Sequence, residues 1–200
     1  MFHHSCVLQG HLDLVPSFSG LLAIFIGPIN FFSIILFPIS LIVKLLIFVK
    51  KKISKPLNFK IPIICVGNIY LGGTGKTPLS IFLASELKAK GKKTAIIRKY
   101  YKKHRDEHLM IKDRFKNLFL NTNRVNAISE AIDKSFDLLI LDDGFQDTQI
   151  MKNLNVICFN QKQKIGNGMI IPSGPLRESI YSLKNAHIVV INGGYDMDFE

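Results

Sequence analysis

Gly72-Gly73-Thr74-Gly75-Lys76-Thr77, closed by Pro78, is the stretch whose reading decides the fold. It follows the apolar run Ile61-Pro62-Ile63-Ile64-Cys65-Val66 and precedes Leu79-Ser80-Ile81-Phe82-Leu83-Ala84-Ser85-Glu86-Leu87. The order is strand, glycine-rich loop, helix. Backbone N–H groups of such a loop, helped by the positive end of the helix dipole, surround a polyphosphate. Lys76 would reach the β- and γ-phosphates, and the Thr77 hydroxyl would meet Mg²⁺. The usual pattern is G-x-x-x-x-G-K-[ST]; Tyr70 stands where its first glycine belongs. The competing reading is a glycine-rich turn with a chance Gly-Lys-Thr, against which the flanking strand and helix argue.

Downstream, strands are expected over 93–98, 117–120, 136–141, 155–159 and 187–191. Helices are expected over 76–90 and 124–134. Leu79, Leu83 and Leu87 share one face of the first, and Gly91 ends it at the C′ position. The charged stretch from Tyr100 to Asp113 reads as irregular. Strands alternating with helices imply an α/β fold: a P-loop-type, mostly parallel sheet with flanking helices and right-handed crossovers. The strand Leu138-Leu139-Ile140-Leu141 delivers Asp142 and Asp143 at its C-terminal end, the sheet edge where ligands bind. A carboxylate there can share a Mg²⁺ ion with Thr77. By spacing alone, Asp106-Glu107 are surface charges. Pro172 and Pro175 fix a rigid turn before Arg177-Glu178, where Arg177 would clamp a phosphate or the loop would carry surface ion pairs.

Upstream, Leu21 to Val43 carries no charge and is long enough to cross a bilayer, which needs about 20 apolar residues. Pro28, Asn30 and Pro38 interrupt it. Lys44, Lys50, Lys51, Lys52 and Lys55 follow, so the positive-inside tendency puts what comes after in the cytoplasm. The segment either spans or lies partly immersed with its lysines on headgroups; a buried helix of a soluble core is the third reading. Residues 1–20 form an uninformative tail in which His3, His4 and His11 suggest no site. A secretory signal is not expected, since no basic n-region precedes the apolar run and no small-residue cleavage site follows it. The division is therefore a tail (1–20), a hydrophobic membrane anchor helix (21–50), a basic linker (51–60) and a P-loop domain (61–200).

Composition agrees. The 200 residues are 48% hydrophobic, with a mean hydropathy of +0.22 and a formal net charge of +11. The positive excess sits in two blocks, Lys44 to Lys60 and Lys88 to Arg105, which suits anionic membrane and phosphate better than a nucleic-acid groove. No nucleic-acid-binding signature accompanies it. Cys65 and Cys158 fall in strand-like runs and read as buried reduced thiols; with Cys6 they show no metal-ligand spacing.

Taken together, Val66-Gly67-Asn68-Ile69, Gly72 to Pro78, Asp142-Asp143-Gly144-Phe145-Gln146, Gly166-Asn167-Gly168 and Pro172-Ser173-Gly174-Pro175-Leu176-Arg177-Glu178 resemble the tetraacyldisaccharide 4′-kinase family of lipid A synthesis, from the apolar segment to Asn192-Gly193. The resemblance implies an ATP-dependent kinase. It would transfer the γ-phosphoryl to the 4′-hydroxyl of a tetraacyldisaccharide 1-phosphate, with Mg²⁺, at the cytoplasmic face of the bacterial inner membrane and its anionic lipids. It implies that Asp106 acts on the acceptor hydroxyl beside Lys76. Tyr70, Leu71, Gly72, Gly73, Thr74, Gly75, Lys76 and Thr77 would bind ATP. Thr77, Asp142 and Asp143 would hold the metal. Asn68, Glu107, Gln146, Arg177 and Glu178 would line the phosphate and substrate site. Where the family reads Ser-Arg-Gly-Tyr-Gly, this chain has Ile97-Arg98-Lys99-Tyr100-Tyr101. The family also continues beyond the last residue here. The resemblance therefore leaves two further expectations: an inactive or split remnant, with a separately encoded C-terminal fragment as partner, or a different membrane-associated P-loop ATPase.

Overall fold

Each of the six apolar runs read as strands is a strand. The structure is a computed structural model describing residues 29, 31–102 and 105–193. The tail at 1–20, with its histidines and Cys6, and residues 21–28 and 30 of the anchor lie outside the described residues. The elements are α1 (Phe31–Ile53), β1 (Ile63–Gly67), α2 (Lys76–Ala89), β2 (Thr94–Lys99), α3 (Arg105–Arg114), β3 (Leu118–Asn121), α4 (Arg124–Asp133), β4 (Leu138–Asp142), β5 (Leu154–Asn160), a 3₁₀ segment (Ile180–Asn185) and β6 (Ile188–Asn192). Strand order is β3-β2-β4-β1-β5-β6, and the β1–β4, β2–β4 and β2–β3 pairs are parallel.

The chain forms two compact units. One comprises Lys55–Gly67 and Gly75–Val156; the other comprises Met1–Ser54, Asn68–Thr74 and Ile157–Glu200. In the first, β1, β2 and β4 are buried on both faces, with Ile63, Cys65, Ala95, Ile96, Ile97, Leu139, Ile140 and Leu141 fully enclosed. That is why these strands read as unbroken apolar runs rather than alternating ones. Register pairs Val66 with Asp142 and Arg98 with Asp142, so three strands end level at the same edge.

Two expectations about the helices are corrected. In α2 the core face is Ser80, Ile81 and Ala84, while Leu79, Leu83 and Leu87 are only half-buried and Phe82 is exposed. The buried stripe lies one residue on from the leucines, about 100° round the helix, and on it Ser80 directs its hydroxyl inward to the Asp142 carboxylate. The stretch read as irregular contains α3. His108, Ile111 and the following Phe115 are buried at i, i+3 and i+7, and the charges face outward. Gly91, at φ +81°, ends α2 as expected: the N–H groups of Gly91 and Lys92 bond the carbonyls of Lys88 and Leu87, at 3.0 Å each. That is a Schellman cap.

The second unit is organised around α1, whose polarity is reversed. Its buried residues are Ser33 and Ser40, whereas Phe31, Phe32, Ile34, Ile35, Ile42, Leu45, Leu46 and Phe48 are each more than half exposed. The inward stripe continues through the half-buried Leu36, Val43, Ile47 and Lys51. Ser40 Oγ donates to the Ile170 carbonyl (2.8 Å), lies 2.7 Å from Ser173 Oγ and accepts from the Ser173 N–H (3.0 Å). Asn167 Nδ2 donates to Ser33 Oγ (3.3 Å), and Lys51 Nζ pairs with the buried Glu178 carboxylate at 2.5 Å. Most of the apolar side chains of α1 are exposed, which speaks against a buried helix of a soluble core. Among the described residues it is the helix long and apolar enough to cross a membrane, with a mean hydropathy of 2.6.

Candidate functional site

In the first unit, the edge where β1, β2 and β4 end gathers the charged groups. Asp142 is fully buried at the tip of β4. Its Oδ1 accepts from Ser80 Oγ (2.9 Å), and its Oδ2 accepts from Thr77 Oγ1 (3.2 Å) and from Arg98 Nη1. Arg98 also donates to Thr77 Oγ1 (3.0 Å), and its other nitrogen pairs with Glu107. Lys76 Nζ lies 3.6 Å from Asp143 Oδ1. Gly75, at φ +80°, takes the left-handed turn that starts α2 behind the loop, a conformation glycine adopts freely.

The turn after Asp142 is held from outside the motif. Arg124 donates to the Asp143 carbonyl (2.7 Å) and to Asp147 Oδ2 (3.1 Å), and Lys152 bonds the Phe145 carbonyl at 3.2 Å. Asp143 itself sits at φ +53°. Gly67 must be glycine, because a Cβ there would stand 2.5 Å from Phe145 Cβ. The half-buried Gln146 belongs to this turn. Asp106 lies exposed in the first turn of α3, next to Glu107.

In the other unit, the loop start is laid out by its backbone. Asn68, fully buried, donates from Nδ2 to Thr74 Oγ1 at 3.0 Å. The Leu71 N–H bonds the Pro175 carbonyl, and the Arg177 N–H bonds the Ile69 carbonyl, each at 2.8 Å. Tyr70 is thus paired along the backbone with Leu176, and its ring is buried, its hydroxyl without a hydrogen-bond partner. Burial pushes that phenol above its ordinary range, so Tyr70 contributes backbone to the loop. Asn160 Nδ2 donates to the Gly73 carbonyl at 3.3 Å, and Gln163 lies over Gly72. The Glu178 carboxylate is on Lys51 of α1, while Arg177 is half-buried.

Thus Lys76, Thr77, Asp142, Asp143 and Glu107 are brought into one cluster, and Asn68 and Thr74 into another. Sequence reading gave no role to Ser80, Arg98 or Arg124, and placed Lys51 only among the lysines that would meet headgroups. The donor set around Asp142 is all oxygen (Thr77 hydroxyl, Asp142 and Asp143 carboxylates), which suits Mg²⁺ rather than a softer ion. Among the described residues no group of three or more His, Cys, Asp or Glu forms a ready cage. That fits an ion which takes one or two carboxylates and completes its shell with phosphate and water.

A family model described as LpxK, tetraacyldisaccharide-1-P 4′-kinase, matches residues 32–200. The tetraacyldisaccharide 4′-kinase of Pelagibacter ubique (strain HTCC1062) is 45% identical over 166 residues, covering 82% of this chain and 52% of that protein. The same-named protein of Ruthia magnifica is 34% identical over 156 residues, covering 68% and 50%. The chain spans about half the length of the curated relatives it matches. The crystal structure of "apo" form LpxK from Aquifex aeolicus in complex with ATP aligns with a TM-score of 0.73 at 25% identity, over 84% of this chain and 61% of that one.

Proposed function

The chain belongs to the tetraacyldisaccharide-1-P 4′-kinase family, and on that premise we propose that it serves ATP-dependent phosphoryl transfer to the 4′-hydroxyl of a tetraacyldisaccharide 1-phosphate in lipid A biosynthesis. The observation that carries this is the bond between Thr77 and Asp142 at the end of β4, with Lys76 beside Asp143. Phosphoryl transfer asks a protein mainly for positioning and charge neutralisation.

In this reading the backbone from Tyr70 to Gly75 cradles the phosphates. Lys76 turns from Asp143 toward the β- and γ-oxygens. Thr77, Asp142 and Asp143 hold Mg²⁺, which when bound neutralises charge on the transferring group. Asp106 takes the proton of the acceptor hydroxyl, and Asn68, Glu107, Gln146 and Arg177 orient phosphate and sugar. Glu178 acts on the substrate loop from its seat on Lys51.

The acceptor's acyl chains put the reaction at a membrane, and α1 supplies the contact. Its polar stripe is engaged by Asn167, Ile170, Ser173 and Glu178 over 18 residues, about 27 Å of helix. Loop backbone is not accepted in the hydrocarbon core. This favours a helix lying along the cytoplasmic face of the inner membrane, apolar side down and Lys50 and Lys52 on anionic headgroups. The proposed division is tail (1–20), anchor (21–50, its helix running on to Ile53), linker and P-loop kinase domain to residue 200.

The test is transfer of labelled γ-phosphate to the disaccharide lipid by the chain alone, and with the C-terminal half of a relative supplied in trans. Lys76→Ala is expected to cut transfer by about 10²-fold or more; unchanged turnover would remove the phosphate-loop assignment. Transfer seen only with that half supplied would mean that the chain by itself binds nucleotide or membrane without transferring. ATP hydrolysis indifferent to the lipid would instead point to another P-loop ATPase.

A further inference from the structure

Arg98 has no task in the mechanism above, yet it contacts three side chains of the cluster, as many as Asp142 does. It is 7% exposed and ends β2 level with Asp142. One guanidinium nitrogen contacts both Asp142 Oδ2 and Thr77 Oγ1; the other contacts Glu107 Oε2. A single side-chain cation therefore occupies two of the oxygens that the kinase reading reserves for Mg²⁺, and it spans from them to the acid beside Asp106. A fork of fixed planar donors can do this; an ammonium cannot.

We propose that Arg98 is a resident counter-cation that keeps the Asp142–Thr77 pair closed to free divalent metal and yields it to a metal–polyphosphate complex. The reasoning is one of charge. With the guanidinium on Asp142 the buried edge is near neutral, and a bare divalent ion entering it would meet a cation already seated. A metal arriving on a polyphosphate brings several negative charges of its own, and these receive the displaced guanidinium. Arg98 then releases Asp142 Oδ2 while keeping Glu107, so that the nucleotide and the first turn of α3 are coupled through one side chain. Metal and nucleotide would thus enter together. This rests on the kinase reading for the identity of the polyphosphate, but not for the competition between Arg98 and metal.

The probe is Mn²⁺, its free concentration read by electron spin resonance, with the full chain in detergent. The wild-type chain without nucleotide is expected to bind Mn²⁺ at least tenfold more weakly than with a non-hydrolysable ATP analogue. Arg98→Gln should raise nucleotide-free Mn²⁺ affinity about tenfold, and Asp142→Asn added to it should cancel the gain. Arg98→Lys, which keeps a cation at Asp142, should stay within about twofold of wild type. Equal Mn²⁺ affinity in wild type and Arg98→Gln would overturn the proposal. So would tight nucleotide-free binding by the wild-type chain, a measurement that holds even if Arg98→Gln does not fold. A wild-type chain that ignores the ATP analogue, while Arg98→Gln still gains Mn²⁺, would sink the kinase reading and sustain the competition.

Discussion

Cys65 lies at the centre of β1, between β4 and β5 in the sheet and fully enclosed, and burial pushes its thiol from 9.0 up to about 12. Lys152 and Arg124 draw it down by less than burial raises it. The folded chain therefore holds the neutral thiol where the unfolded chain ionises. The resulting stability is complete below pH 9 and is lost as pH climbs from 9 to 12. The urea midpoint of the wild-type chain should fall more steeply over that range than that of Cys65→Ala, and iodoacetamide should leave Cys65 unmodified until unfolding; parallel slopes would refute the assignment. At this scale, what the sequence disclosed was what lies contiguous in it. Lys76 and Thr77 sit on one loop and Asp142 on a strand end, so their meeting follows from motif order. Arg98 and Ser80 were quoted without a role, because their contact with Asp142 depends on strand register and helix rotation, set by residues 44 and 62 positions away. The Lys51 partner of Glu178 was not legible for the same reason: it is 127 residues distant.

The two well-defined helix ends make an internal comparison. α2 closes on Gly91 at φ +81°; α4 closes in the same pattern on Ser135 at φ +55°, with Ser135 N–H to Ile132 O at 2.8 Å and Phe136 N–H to Ala131 O at 3.3 Å. A side chain is strained in that conformation and glycine is not. Ser135→Gly is therefore expected to stabilise the chain by about 0.5–1 kcal/mol, read as a higher urea midpoint at unchanged slope; a lower midpoint would mean that the Ser135 side chain, exposed as it is, has a hidden function. Strand identities were legible because parallel strands buried on both faces are apolar throughout. Helix faces were less so. The leucine spacing of α2 suggested a stripe one residue away from the buried one, because Ser80, a polar residue bonded to Asp142, lies on the inward face. In α3 an abundance of charge masked the spacing of His108, Ile111 and Phe115.

For the whole molecule, the proposed partner of the outward apolar face of α1 is lipid. Ile35 and Ile42 are 55% and 58% exposed, so substituting both by glutamate should spare the helix and its serine stripe while forfeiting roughly 1.5–3 kcal/mol of burial at each position. Sedimentation with anionic vesicles should show at least tenfold weaker partitioning with far-UV circular dichroism unchanged; retained binding would place the contact elsewhere. Deleting the helix outright is a poorer experiment, because it strips Ser173 and Glu178 of their partners. The sequence made the apolar length and the trailing lysines plain. It could not show that two serines and a lysine form an inward seam, since a seam is defined only by what it is sewn to.

That reversed helix has a consequence for how the chain is made. Ser40 is synthesised 130 residues before Ile170 and 133 before Ser173, the two residues that receive it. During that interval the greasy side of α1 has only a bilayer or a chaperone for company, while its hydroxyls are served by water. On the proposed membrane reading, delivery to lipid comes first and closure of the seam last, so the nascent chain would be moored before the part that would do chemistry has been completed.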